Sequence, residues 1–138
     1  MSFPVMIRIT SSVRDGVRYK TPSGSASFEI FHIDTIKVVI KTGKQGTLIT
    51  IPAQCFEDAP NFLRGKGWVK MYAVQGRLEE DTFDDFVKQY VSRSRAASYI
   101  AAILEKSGIV KIDRLPPRAL VLTQYQRQDE LNHTHNIS

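Results

Sequence analysis

Thr82-Phe83-Asp84-Asp85-Phe86-Val87-Lys88-Gln89-Tyr90 begins a run of helix and strand signals that continues to Thr123 and around which the rest of the chain is organised. Thr82 suits a helix N-cap, and Asp84 and Asp85 stand in the first turn, where the helix dipole favours negative charge. Phe83, Phe86, Val87 and Tyr90 recur at i, i+3, i+4 and i+7, the apolar stripe of a short helix. Val91-Ser92-Arg93-Ser94 interrupts that stripe. A second helix is expected over 95–107, with Ala96, Ile100, Ile103 and Leu104 inward. Gly108 stops it as a residue that tolerates positive φ. Ile109-Val110-Lys111-Ile112 and Ala119-Leu120-Val121-Leu122 are short β-type runs. They flank a stiff basic connector, Asp113-Arg114-Leu115-Pro116-Pro117-Arg118.

This order of helix, turn, helix and two-stranded ribbon resembles the winged helix-turn-helix family of DNA-binding domains, above all its bacterial and archaeal regulators. Ser92-Arg93-Ser94-Arg95 matches the approach to the family's second helix. Leu104-Glu105-Lys106-Ser107-Gly108-Ile109-Val110 resembles its exit, and 114–118 its wing. The likeness covers about forty of the 138 residues. The turn carries no glycine, and no clear first helix precedes Thr82. The resemblance implies a double-stranded DNA-binding protein, a transcription regulator, with helix 95–107 in the major groove and wing 113–118 on the backbone. Arg93 and Arg95 would then reach base edges or nearby phosphates. Ser94, Ser98 and Tyr99 would lie near the same side, and Ala101 and Ala102 would allow close approach. Arg114 and Arg118 would straddle the wing. Lys106 adds a cation to the surface, although it and Lys111 read equally as ordinary surface lysines, and Tyr99 as a packing residue.

The segment 1–76 is expected to be a small β-barrel or sandwich-like domain, giving an α+β protein with a winged helix at 77–125 and a polar, disordered tail at 126–138. Phe3, Val5, Ile7 and Ile9 alternate with Met6 and Arg8, as in a half-buried strand. Val13 to Tyr19 carries an Asp15-Gly16 hairpin signal. Phe28–Ile33, Ile36–Lys41 and Leu48–Ile51 are β-rich, the last two joined across Thr42-Gly43-Lys44-Gln45-Gly46. Pro52 to Asn61 reads as a short helix or irregular crossover, and Trp68 to Ala73 as a last strand.

Composition and charge narrow the classes. No run approaches the ~20 apolar residues of a membrane span, and the start of the chain lacks a signal-peptide pattern, so a cytoplasmic protein is expected. A single cysteine, Cys55, excludes an internal disulfide and cysteine-pair zinc sites. Residues 1–76 hold ten Lys or Arg against five acids; residues 77–138 hold nine against nine. Within 91–118, six basic residues face only Glu105 and Asp113, while acids gather at 79–85. Such sorting suits a phosphate backbone and salt-sensitive binding; a solvated basic face is the plainer alternative.

No catalytic constellation is expected, and no metal or cofactor. His32 and Asp34 share a strand face without needing to touch. His133-Thr134-His135 sits in the polar tail, Cys55 has no activating base nearby, and Gly43-Lys44 lacks phosphate-loop spacing. Three roles stay open for the β-domain. It could be a homodimerisation or effector module for the DNA reader. It could bind single-stranded nucleic acid itself, through Trp68, Tyr72 and Tyr19 beside Lys66 and Lys70, with core packing the rival reading of Trp68 and Tyr72. Or the whole chain could be a protein–protein adaptor built on a repurposed winged helix.

Overall fold

The computed structural model describes residues 4–73, 81–93, 95–115 and 118–123. Its elements are α1 (Pro4–Ser12), β1 (Arg18–Lys20), β2 (Ser27–Ile33), β3 (Lys37–Thr42), β4 (Thr47–Pro52), α2 (Ala53–Leu63), β5 (Val69–Lys70), α3 (Phe83–Val87), α4 (Ala96–Lys106), β6 (Val110–Asp113) and β7 (Ala119–Leu122). The mixture is α+β. Strands β1 to β4 form one antiparallel meander, and a second antiparallel sheet runs in the order β5-β7-β6.

The first element departs from expectation. The segment read as an alternating strand is helix α1, because Val5, Met6 and Ile9 are all buried while Ile7 is 57% exposed. Only the helical period of 3.6 puts the first three on one face and Ile7 on the other. Its stripe continues into Val13, also buried. The free amides at the start of α1 find a carboxylate from α2: Val5 and Met6 N–H donate to Glu57 Oε1 and Oε2 at 3.3 and 2.7 Å. A negative charge there satisfies two orphan donors and complements the dipole. Glu57→Ala is therefore expected to lose about 1 kcal/mol, the scale of a lost N-cap, seen as a melting temperature lower by roughly 3–5 °C. An unchanged melt would show that water serves these amides equally well.

Asp15-Gly16 does turn the chain, with Gly16 at φ 80°, but it joins α1 to β1 instead of closing a hairpin. The expected barrel is absent among the described residues. The four-stranded sheet is open, and its inner face (Phe28, Ile30, Val38, Ile40, Ile49 and Ile51) enters a core shared with α1, α2 and α4. Pro52–Asn61 resolves as helix α2, and the strand expected over 68–73 contracts to Val69–Lys70.

Around Thr82 the local chemistry holds. Thr82 Oγ1 accepts from Asp85 N–H at 3.2 Å, and Phe83, Phe86 and Val87 are buried. Phe86 stacks on Phe62 of α2 with ring centroids 4.7 Å apart, fixing α3 against α2. Helix α4 ends at Gly108, φ 76°, whose N–H donates to Glu105 O, while Ile109 N–H reaches back to Leu104 O. That is the left-handed helix stop glycine permits. Apart from Val39, Ala119 and Val121, the buried apolar residues form one cluster from Val5 to Leu122. The division expected at residue 76 and the tail 126–138 lie outside the described residues.

Candidate nucleic-acid interface

The segment between α3 and α4 carries three cations, of which Lys88 is paired with Asp84 at 2.9 Å. Arg93 and Arg95 are both exposed. Arg95 stands immediately before α4 at φ 65°, in the left-handed region. A turn without glycine still needs a positive φ, and here an arginine supplies it, at a conformational penalty of about 1 kcal/mol or more. Ser94, between them, lies outside the described residues.

Helix α4 is covered almost all round. Besides the expected Ala96, Ile100, Ile103 and Leu104, the residues Ala97, Ala101 and Ala102 are buried. The small side chains at Ala101 and Ala102 thus admit the protein's own elements. The remaining strip is engaged as well. Ser98 pairs through its hydroxyl with the Tyr72 hydroxyl at 2.8 Å, and its N–H donates to the same Tyr72 oxygen at 3.2 Å. Burial pushes the Tyr72 phenol above its usual pKa. Tyr99, half-buried, meets Phe28 of β2 edge-on at 5.3 Å, so its packing role is the one seen. Lys106 is exposed, with its ammonium 6.0 Å from the Tyr19 ring centroid.

Past strand β6, Arg114 is held by the protein's own carboxylate: its two terminal nitrogens donate to Glu105 at 2.7 and 2.6 Å, which raises its pKa. Arg118 is half-buried, and its Nε lacks a hydrogen-bond partner. Lys111 is exposed on β6, and Leu115 projects at 76% exposure. Pro116 and Pro117 lie outside the described residues. Of the four arginines, Arg93 and Arg95 are therefore exposed, whereas Arg114 is clamped and Arg118 is partly inside.

No family model, curated protein or solved structure matches the chain.

Other chemically capable groups have structural duties. His32 Nε2 does touch Asp34 Oδ2, at 2.7 Å, while Asp34 Oδ1 accepts from the N–H groups of Ile36 and Lys37. The three donors, His32 foremost, hold the Asp34 carboxyl down at about 2 from its usual 3.8. A depressed carboxylate stabilises the fold above its unfolded pKa and ceases to do so as pH falls through its folded one. The stability gap between wild type and Asp34→Asn should accordingly close as pH falls from about 4 towards about 2; parallel pH profiles over that interval would contradict the assignment. Cys55 is fully buried, and burial, then the Asp58 charge, lifts its thiol to about 12, so it is an inert core residue. No group of three or more metal-ligating side chains occurs among the described residues, and no helix there is long and apolar enough to cross a membrane. Of the aromatics weighed for base stacking, Trp68 is 56% exposed, but Tyr72 and Tyr19 are half-buried. The exposed Phe31 escaped the sequence reading, since it sits inside an apolar run.

Proposed function

We propose that this chain binds duplex DNA as a winged helix-turn-helix protein acting in gene regulation. One observation carries the reading: the element order α2, β5, α3, α4, β6, β7, with β7 lying between β5 and β6. On this reading helix α2, expected from the sequence as a short helix or crossover of the 1–76 segment, serves as the first helix, α3 and α4 as the paired helices, and β6 with β7 as the ribbon of a wing. Strand β5 ties the first helix to that wing. In such a frame the α3–α4 turn, which carries the exposed Arg93 and Arg95, precedes the ribbon on one chain segment.

The occupied strip of α4 refines the expected mode. With Ser98, Tyr99 and Glu105 committed to internal partners, this helix offers few groups for base edges. Contact through Arg93, Arg95, Lys106 and Lys111 is contact with phosphates, which positions a protein on a duplex without specifying sequence. Association of two copies is the usual route by which such short contacts gain length.

The test is a titration of a labelled mixed-sequence duplex of about 20 base pairs with the full chain. A backbone-dominated binder gives a dissociation constant of roughly 10⁻⁴–10⁻⁶ M at physiological salt, tightening steeply as salt falls. No binding at roughly 50 mM salt would end the proposal.

A further inference from the structure

The outer face of the four-stranded sheet is not absorbed by the duplex reading. Its inner face fills the core, so the alternate residues point away from it. The register aligns Arg18, Glu29, Lys41 and Leu48 in one row across the four strands. Lys20 follows two residues from Arg18, about 7 Å along the strand. Lys37 lies at the far end of β3. Arg18, Lys20, Lys37 and Lys41 are exposed, and Glu29 is the one carboxylate in the aligned row, 4.0 Å from Arg18 at its nearest. The face is therefore basic.

It also carries an aromatic ring. The pairing of β2 with β3 steps from Ile30↔Ile40 to His32↔Val39, leaving Phe31 as the unpaired residue of a bulge. Bulges re-aim a side chain, and this one leaves Phe31 50% exposed. An exposed ring on a sheet face that also carries Arg18, Lys20, Lys37 and Lys41 matches a strand of unpaired nucleotides, whose bases stack and whose phosphates need neutralising. A duplex offers no open base face for stacking.

From this arrangement we infer that the outer face of the β1–β4 sheet binds single-stranded nucleic acid, with Phe31 stacking on a base and Arg18, Lys20 and Lys41 following the phosphates. This site is separate from the α3–α4 turn and does not depend on duplex binding there. DNA and RNA strands share the chemistry, and the test distinguishes them.

The experiment titrates the full chain with labelled oligo-dT and oligo-U of about 15 nucleotides, a length within reach of one such surface. Phe31→Leu, which keeps an apolar side chain in the bulge, and Lys41→Ala are compared with Arg93→Ala/Arg95→Ala. Phe31→Leu should weaken single-strand binding about tenfold and leave duplex affinity unchanged, with Phe31→Tyr restoring it. The turn variant should do the reverse. Tighter oligo-U than oligo-dT binding would assign RNA, and the opposite order DNA. The inference is overturned if neither oligomer binds at low salt. It is also overturned if Phe31→Leu binds like wild type, or if the turn variant alone abolishes single-strand binding.

Discussion

Phe28→Ala is expected to remove about 3–5 kcal/mol of folding stability, much of the 5–15 kcal/mol typical of a domain. Phe28 is fully buried on the inner face of β2, with Tyr19 at 6.1 Å on one side and Tyr99 of α4 at 5.3 Å on the other. The ring is therefore the hinge pin between the amino-terminal sheet and the helix on which the duplex reading rests. Loss of the ring should loosen both together. Hydrogen exchange makes this visible: amides of β2, β3 and α4 should lose protection by the same factor, as members of one cooperative unit. If α4 kept its protection while the sheet opened, the single buried cluster would be two units in contact.

The second large effect runs in opposite directions for stability and binding. Arg95→Gly removes a side chain from a left-handed backbone position, so the protein should gain about 1 kcal/mol and melt a few degrees higher. It also removes an exposed cation at the start of α4. A charged hydrogen bond to phosphate contributes about 1.5 kcal/mol, so duplex affinity should drop about tenfold. A more stable protein that binds worse is the signature of a strained residue retained for contact. Arg95→Gly binding as well as wild type would mean that the strain has no role in recognition.

What could be read without coordinates was local. Thr82 capping α3, the Phe83, Phe86 and Val87 stripe, Gly108 ending α4 and the β6–β7 ribbon each depend on neighbours a few residues away, and each is present. The misread start of the chain shows the limit. Residues 5–9 fit a period of two as well as a period of 3.6, and the choice is made by Glu57, some fifty residues on, which caps α1. The site suffered in the same way. Nothing near residue 98 announces Tyr72, and nothing near residue 99 announces Phe28, yet these two contacts take the outward strip of α4. Arg114 looked free because its partner, Glu105, stands nine residues back across the strand β6. The exposed cations of the turn were legible because exposure there needs no distant partner.

The most direct measurement of the account is the salt dependence of duplex binding by the full chain beside Arg93→Ala/Arg95→Ala. Each phosphate contact contributes about 0.9 to the slope of log K against log salt concentration. The double substitution should lower that slope by about 2 and weaken binding across all sequences alike. Equal slopes for the two proteins would place the duplex elsewhere on the surface, or nowhere, and would contradict the proposed role of the two arginines.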